Sequence, residues 1–185
     1  MRLEGDVRIH FQGNFEGTCF PYSIANAVLS LSKARLKQNA WDKGLNRMPF
    51  REDFVTSKGT QSYDDNWEML CLAAKRFLNG WESEAGKYLV RVVDGISRKA
   101  ALCSYISDNS VLLVNHSGYH WVCLVDANRA TDRLYCACSF QLAEKAEKYK
   151  EERSPDTKRW FNLEYDMRDL GWVYQSTGIL IRLIQ

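Results

Sequence analysis

Apolar residues near the start of the chain recur with the period of an α-helix. Ile24, Val28 and Leu31 fall on one stripe, as expected where every third or fourth residue faces a core. Thr18 precedes this run, and its hydroxyl oxygen can cap the N-terminus of a helix. The pattern therefore predicts a first helix over residues 18–36.

The helical period returns later in the chain and is then replaced by short apolar runs of strand length. Residues 65–79 repeat it and stop at Gly80, a residue type that commonly follows a helix end. A third helix is predicted over 97–106, with Ser97 as its cap. Elsewhere short runs rich in apolar residues, some of them alternating with polar ones, have the length and composition of strands. The predicted strands are 87–93, 111–114, 120–125, 134–140, 160–165 and 178–184.

Other stretches show neither period. Residues 40–63 predict a long loop with room for a short helix, and a loop of that length in a compact domain is usually functional or mobile. Residues 126–132 have the turn chemistry of a hairpin. Residues 141–153 are rich in Glu and Lys and predict a solvated helix. Helices first and an antiparallel sheet afterwards predict an α+β fold, in a single domain of residues 1–185.

Composition and charge exclude several classes of partner. The chain has 185 residues and a net charge of +2, too little charge to predict nucleic acid or an anionic membrane surface as a partner. No apolar run approaches the roughly 20 residues that span a bilayer, so no membrane insertion is predicted. The start has no apolar secretion segment. The chain is therefore predicted to be cytoplasmic where it is synthesised, with export by a signal-independent route left open, as is the oligomeric state.

The six cysteines do not predict a disulfide framework, because no secretion signal accompanies them. Cys136 and Cys138 form a lone C-x-C pair, and no second pair follows at the spacing of a zinc site. We therefore expect no metal and no cofactor.

One cysteine stands in a different setting. Cys19 falls where a polar, Gly-containing run turns into the first predicted helix, and the positive end of a helix dipole favours thiolate over thiol. His120 opens a predicted strand about a hundred residues later. A thiol at a helix start and a histidine at a strand start, in that order, predict a nucleophile and its general base. His116, four residues earlier, is the rival base.

Acyl transfer to a thiol also needs donors for the oxyanion. The backbone N–H of Cys19 is one candidate. The side-chain amide of Gln12, seven residues upstream, is the other.

Two segments resemble the papain-like cysteine peptidase superfamily. Residues 12–23, with Gln12 and the run Gly17-Thr18-Cys19-Phe20-Pro21-Tyr22-Ser23, are similar to its Gln…Cys segment, although the Gln-to-Cys separation is one residue longer than usual. Residues 111–126, with Ser117-Gly118-Tyr119-His120-Trp121, resemble the histidine segment of the small C39-like branch, which trims double-glycine leader peptides.

The resemblance implies a papain-like fold built from two halves. An N-terminal helical half, residues 1–80, would present Cys19 on the nucleophile helix. That helix would pack on a C-terminal antiparallel sheet, residues 87–185, which would present His120. The same resemblance implies that Gln12 serves the oxyanion.

The family also has a third residue, an Asn or Asp on the strand after the histidine strand, and here that strand has no carboxylate. Ser139 or Gln141 could orient the imidazole through a neutral hydrogen bond. Asp126 lies six residues along the strand from His120, about 20 Å at ~3.3 Å per residue, and would need a sharply bent strand. Asp132 in the hairpin is a further candidate, and a dyad without a third member is also open.

These residues predict a cysteine peptidase or a related thiol acyl-transfer enzyme. It would cleave a peptide or isopeptide bond of a peptide or protein substrate through a thioester, with the histidine as general base. A bacterial effector or toxin of the deamidase or transglutaminase type would begin with the same thioester. The alternative is a papain-fold pseudoenzyme that binds a partner protein without turnover, a hypothesis motivated by the missing Asn or Asp.

Overall fold

The structure, a computed structural model, describes residues 8–12, 17–32, 37–56, 59–63, 65–81, 86–140 and 151–184. The helices in these ranges are α1 (Cys19–Ser32), α2 (Gln38–Arg47), α3 (Arg51–Phe54), α4 (Trp67–Asn79) and α5 (Lys99–Tyr105), with a 3₁₀ turn at Gln61–Tyr63. The strands are β1 (Lys87–Asp94), β2 (Ser110–His116), β3 (His120–Asn128), β4 (Arg133–Cys138), β5 (Glu152–Arg153), β6 (Trp160–Phe161), β7 (Leu163–Asp166) and β8 (Val173–Ile184).

Six of the described strands form one antiparallel sheet in the order β1-β8-β2-β3-β4-β7. β5 and β6 pair with each other in a separate two-stranded ribbon. Helices followed by an antiparallel sheet confirm the predicted α+β class. The long β8 lies between β1 and β2, so the C-terminal strand is built into the interior of the sheet.

The central strands are buried on both faces. Trp121 and Cys123 of β3 belong to the core beneath α1, on what we call the helix face, while Val122 and Leu124 belong to a second core on the opposite face. α5 and residues 167–173 cover that second face. Alternate residues of a strand point to opposite faces, and so His120 shares the second face with Val122.

The first helix lies directly on the sheet. α1 packs against β2, β3, β4 and β8, α4 packs against β1, and α2 packs against α4. Phe20 of α1 meets Trp121 of β3 edge to face, with ring centroids 4.7 Å apart. This confirms the predicted arrangement, in which an N-terminal helical region lays its first helix on a C-terminal antiparallel sheet.

The prediction of a long loop over residues 40–63 was wrong, because most of that stretch is helical. Trp41 and Leu45 of α2 are buried four residues apart, and the Trp81 indole donates a hydrogen bond to the Ala40 carbonyl. Gly44 interrupts the apolar helical period of α2, so the sequence alone does not reveal this helix. A side chain there would collide with Trp81 and Phe77, so glycine is present for close packing although it weakens helix propensity.

Two further expectations need correction. The third helix starts at Lys99, with Arg98 at the N-cap position, and the Ser97 hydroxyl accepts a hydrogen bond from Ser176 instead of capping the helix. The predicted helix over 141–153 is wrong at its end, since Glu152–Arg153 pairs with β6 as a strand. The rest of that prediction, residues 141–150, falls outside the described residues, as does the end of the first predicted helix at 33–36.

The segment before α1 is held by a reciprocal pair of hydrogen bonds. The backbone N–H of His10 donates to Asn26 Oδ1 at 2.7 Å, and Asn26 Nδ2 donates to the His10 carbonyl at 3.2 Å. Both residues are buried. The clamp fixes residues 8–12 against α1, and with them Gln12.

Burial lowers the pKa of His10 from 6.5 to about 4. Between these values the unfolded chain holds a proton that the folded chain does not, so stability falls as the pH drops from 6.5 towards 4. A difference of that size corresponds to roughly 3 kcal/mol at its acid limit. We expect His10→Phe, which keeps a ring and removes the titration, to flatten the acid side of the stability curve.

Urea unfolding of both proteins from about pH 7 to about pH 4.5 measures this difference across the range where the histidine titrates. The wild type should lose more free energy of unfolding over that range than the variant does. Parallel curves would show that His10 does not couple folding to protons.

Candidate active site

Cys19 is the first residue of α1. The Thr18 carbonyl accepts a hydrogen bond from the Tyr22 N–H at 3.3 Å, which closes the first turn of the helix. The N–H groups of a first turn have no partner within the helix. The structure therefore puts Cys19 at the helix start, as the sequence predicted, with only 6% of its surface exposed.

A glycine contact shapes the approach to this helix. Gly17 has φ +90, a conformation that favours glycine. A Cβ at this position would overlap the Thr56 carbonyl oxygen and lie 2.9 Å from the Gly59 nitrogen. Because both glycines lack side chains, the loop that carries Thr60 lies directly against the segment that leads into Cys19.

Hydrogen bonds join the cysteine helix, this loop and the histidine strand. Ser23 of α1 donates its hydroxyl to the Trp121 carbonyl at 2.9 Å. The Trp121 indole N–H donates to Thr60 Oγ1 at 2.8 Å. Because Trp121 directly follows His120, these two bonds tie the start of β3 to α1 and to the loop.

Cys19, His120 and Gln12 line one cavity of about 570 Å³. The cavity lies at the ends of β3 and β4, where residues of both sheet faces reach it. No lining residue is an Asp, Glu, Lys or Arg within the described part of the chain. The other lining residues are Gly17, Gly59, Thr60, Gln61, His116, Gly118, Tyr119, Cys138, Phe140, Leu163 and Tyr165.

The His120 imidazole contacts a thiol, Cys138, for which the sequence predicted no such role. Its Nε2 lies 3.1 Å from Cys138 Sγ, and its ring meets Phe140 at a centroid distance of 5.5 Å. Burial, followed by the charge of the cross-strand neighbour His116, lowers the pKa of His120 from 6.5 to about 4. The ring is therefore neutral at physiological pH.

The Cys138 thiol is also uncharged. Burial is the main cause that raises its pKa to about 11; a backbone hydrogen bond at Phe140 acts in the opposite direction, and the proximity of Cys19 makes a smaller upward contribution. The sequence showed Cys138 only as half of a C-x-C pair. The signal that could have found it is strand register, because Cys138 of β4 pairs with Val122 of β3 and so shares the face of His120.

Gln12 is anchored at both its backbone and its side chain. Its N–H donates to the Ser139 carbonyl at 2.9 Å, and its Oε1 accepts a hydrogen bond from Ser139 Oγ at 3.1 Å. Only 5% of Gln12 is exposed, and Ser139 is fully buried. With the oxygen end of the amide bound to Ser139, the NH₂ end is the one left to donate.

The remaining candidates for the third member have other partners. Ser139 bonds to Gln12, as described above. The Asp126 carboxylate accepts hydrogen bonds from the backbone N–H groups of Asp156 at 3.0 Å and Thr157 at 2.9 Å. Asp132 forms an ion pair with Lys99. Gln141 lies outside the described residues.

The rival base His116 lines the cavity too, but its ring belongs to an aromatic stack. It lies 5.1 Å from the Trp172 ring and 5.4 Å from the Tyr165 ring. Burial lowers its pKa below 6.5. The stacked ring of His116 therefore forms part of the cavity wall.

The solved structures that are similar to this chain include two peptidase domains. No protein-family model matches the chain, and no curated protein matches it. A double-glycine-motif protease from an AMS/PCAT transporter, in complex with the leader peptide, is 12% identical, with a TM-score of 0.49 over 99% of this chain and 94% of that one. The N-terminal C39-like peptidase domain of a toxin-secretion ATP-binding protein from Vibrio parahaemolyticus is 13% identical, with a TM-score of 0.44 over 88% and 97%.

Neither a metal-ligand cluster nor a membrane-spanning helix occurs in the described ranges. No three His, Cys, Asp or Glu side chains are grouped there as ligands of a metal ion. No helix in those ranges combines the length and hydropathy needed to cross a bilayer.

The contact between Gly17 and the loop should be sensitive to a single methyl group. We expect Gly17→Ala to destabilise the protein by at least about 2 kcal/mol, since a left-handed conformation costs a non-glycine residue ~1–2 kcal/mol and the overlap with Thr56 adds to that cost. Gly171→Ala is the matched control, because its nearest neighbour, an Asp169 oxygen, would lie 3.4 Å away.

Urea unfolding of the two variants measures the difference in free energy. Gly171→Ala should stay within about 0.5 kcal/mol of the wild type, as is usual for surface substitutions. Equal losses in both variants would contradict a specific role for the Gly17 contact.

Proposed function

We propose that this protein is a cysteine peptidase, or a closely related thiol acyl-transfer enzyme, with Cys19 as nucleophile and His120 as general base. One observation carries the proposal. The thiol at a helix start, the histidine at a strand start and the amide of Gln12 all line the same cavity. These are the three groups that acyl transfer to sulfur requires.

The reaction would start with the transfer of the Cys19 thiol proton to His120 as Sγ attacks the carbonyl carbon of the scissile bond. The carbonyl electrons move onto oxygen and form a tetrahedral oxyanion. When this intermediate collapses, the amine leaves and takes the proton from His120, and a thioester remains on Cys19. Water then loses a proton to His120 and attacks the thioester, and the thiol regains that proton as the acid leaves.

The tautomer of His120 follows from its neighbours. The Cys138 thiol lies 3.9 Å from the Phe140 carbonyl, to which it can donate its proton, so its sulfur is left to accept from His120 Nε2–H at 3.1 Å. A histidine that is protonated on Nε2 has its lone pair on Nδ1. Nδ1 is then the nitrogen that serves Cys19.

Two donors would stabilise the oxyanion. One is the backbone N–H of Cys19, the first residue of α1. The amide of Gln12, bound at its oxygen by Ser139, has its NH₂ end for the second bond. Removing one donor of this kind typically costs ~10²–10³ in kcat.

The lining of the cavity favours an uncharged stretch of peptide. Its described walls hold no formal charge, and they include the aromatic rings of Tyr119, Phe140 and Tyr165. Burial of a charged substrate residue there would leave that charge without a partner, which is costly. Small or apolar residues around the scissile bond fit the site best.

Peptide binding without turnover is the second candidate. The observation that favours it is the neutral thiol at His120 Nε2, where an Asn or Asp would orient the ring in active papain-like enzymes. A site of this kind could hold a peptide in the same cavity. It would not form a thioester.

Trapping of the acyl-enzyme distinguishes the two candidates. With p-nitrophenyl acetate, the wild type should release a burst of p-nitrophenolate and carry one acetyl group on Cys19, because acylation precedes hydrolysis. His120→Ala should slow acylation by about 10²–10⁴, the usual contribution of a general base, and Gln12→Ala by about 10². Rapid quenching followed by peptide mass spectrometry locates and times the acetyl group.

Cys71→Ala is the control, since it removes a partly exposed thiol on α4 that does not line the cavity. It should acylate at the wild-type rate. Slow and equal acetylation of all accessible cysteines, unchanged in His120→Ala, would refute the enzyme and leave the binding protein.

The low pKa of His120 predicts an unusual pH profile. His120 can accept a proton only when it is neutral, so acylation should rise with pH and reach half of its plateau near pH 4. Because the charge of His116 helps to lower that pKa, His116→Phe should move the midpoint upward, towards 6.5. Cys138, which also lines the cavity, has a pKa raised to about 11 and therefore loses its proton only on the alkaline side.

The rate of the burst measured against pH tests this. A midpoint that stays in place in His116→Phe would contradict the coupling between the two histidines. A wild-type midpoint near 6.5 would contradict a desolvated His120.

A further inference from the structure

Two adjacent residues at the end of β4 contact two different groups of the candidate site. We propose that Cys138 and Ser139 are positioning residues, Cys138 for the imidazole of His120 and Ser139 for the amide of Gln12. The inference rests on the proposed function and goes further, because it assigns the orientation of the base and of the oxyanion donor to one strand end.

Strand geometry lets neighbouring residues perform separate tasks. Successive side chains of a strand point to opposite faces. Cys138 belongs to the second face, where its sulfur lies 3.1 Å from His120 Nε2. Ser139 follows it, and its hydroxyl lies 3.1 Å from Gln12 Oε1. One stretch of backbone thus reaches both groups.

The Cys138 contact selects a tautomer of His120. Its sulfur can accept the Nε2 proton while its own proton is directed to the Phe140 carbonyl. Without this acceptor the ring would have no fixed tautomer, since which nitrogen of a histidine is protonated depends on the bond that the other makes. Cys138 therefore acts on the reaction through His120.

The Ser139 contact selects an orientation of the Gln12 amide. An amide has one accepting end and one donating end. The Ser139 hydroxyl can donate to the oxygen end, and the Ser139 carbonyl accepts the Gln12 N–H at 2.9 Å. Rotation of the amide by 180° would break the side-chain bond and turn the oxygen lone pairs towards the oxyanion. Ser139 itself is fully buried and contacts Gln12 at the oxygen end of the amide.

A third residue fixes the end of the strand. Pairing between β4 and β7 stops at Cys136 and Leu163. Beyond that point the buried side chain of Asn162 continues the ladder, with Oδ1 accepting from the Cys138 N–H at 2.8 Å and Nδ2 donating to the Cys138 carbonyl at 2.9 Å. The backbone of Cys138 therefore has partners on both sides, β3 on one and the Asn162 side chain on the other.

A double-mutant cycle tests Ser139. If the serine acts only through Gln12, Ser139→Ala should lower the plateau acylation rate about five- to tenfold, the value of one hydrogen bond, with little change in the ester concentration that half-saturates it. In a Gln12→Ala background, Ser139→Ala should cost nothing more. An equal loss in both backgrounds would overturn the positioning role of Ser139.

Nitrogen-15 NMR of the imidazoles tests Cys138 without any turnover. The wild type should show His120 with the proton on Nε2. Cys138→Ala should shift the His120 nitrogen signals towards a mixture of tautomers and lower the acylation rate about tenfold, and Cys138→Ser, which keeps a donor and acceptor, should restore part of both. Cys136→Ala is the matched control, since it removes a buried thiol of the same strand and face that does not line the cavity.

The outcomes separate this inference from the proposed function. If the wild type forms no acetyl-Cys19, the proposed function fails, while the His120 signals still report whether Cys138 sets the tautomer. If the wild type is acylated but Cys138→Ala and Cys136→Ala give the same His120 signals and the same rates, Cys138 only fills space and the positioning role is overturned. Thermal unfolding of each variant checks that it is folded under the conditions of the NMR and acylation measurements.

Discussion

The structure depends on how α1 lies across β3. The buried hydrogen bond from Ser23 to the Trp121 carbonyl sets the position of the helix along the strand, and the edge-to-face contact between Phe20 and Trp121 sets its distance. These contacts come one to four residues after Cys19 and one residue after His120. Because a helix and a strand are both stiff over such distances, the packing that stabilises the core also fixes the relation between the candidate nucleophile and base.

Burial determines the charge state of the groups around the cavity. His120 has a pKa lowered to about 4 and Cys138 one raised to about 11, with burial as the first cause in both cases. A desolvated site disfavours the charged form of every group in it, so these two meet as a neutral imidazole and a neutral thiol. This differs from a site in which a carboxylate stabilises a charged imidazolium, and it requires that orientation be supplied by weak, neutral hydrogen bonds. A tightly held backbone, here at Cys138 and Ser139, matters more under those conditions.

The sequence predicted what local periodicity encodes. The α1 stripe of Ile24, Val28 and Leu31 is buried, and the strands over residues 111–114 and 120–125 were found because short continuous apolar runs are typical of strands buried on both faces. Helix α2 was missed because Gly44 is selected for its contact with Gly80 and Trp81, 36 and more residues away. Cys19 and His120 could be selected since each stands at the edge of a predicted element, and Gln12 since it precedes Cys19 in a segment similar to a known one. Ser139 as the partner of Gln12 and Cys138 as the partner of His120 could not be selected in this way, because both contacts follow from how the strands pair.

The pairing of β3 with β4 contains a register shift of one residue. Near the hairpin, Asp126 pairs with Tyr135 and Ala127 with Leu134; beyond Val125 the register shifts, and Leu124 pairs with Cys136. With no shift, Val122 would lie opposite Ser139, and Ser139 and Gln141 would share the face of His120, as the sequence analysis expected. A one-residue bulge exchanges the two faces of a strand, and it brings Cys138 to His120 and frees Ser139 for Gln12.

The bulge is held from outside the sheet. The Val125 carbonyl accepts hydrogen bonds from the buried guanidinium of Arg159 at 2.9 Å and from the Thr157 hydroxyl at 3.3 Å. Asp126 binds the backbone of the same segment at Asp156 and Thr157. Asp126, a candidate for direct contact with the histidine, thus contacts the segment that holds the bulge. By anchoring the segment that stabilises the bulge, it helps to determine which residue of β4 reaches His120.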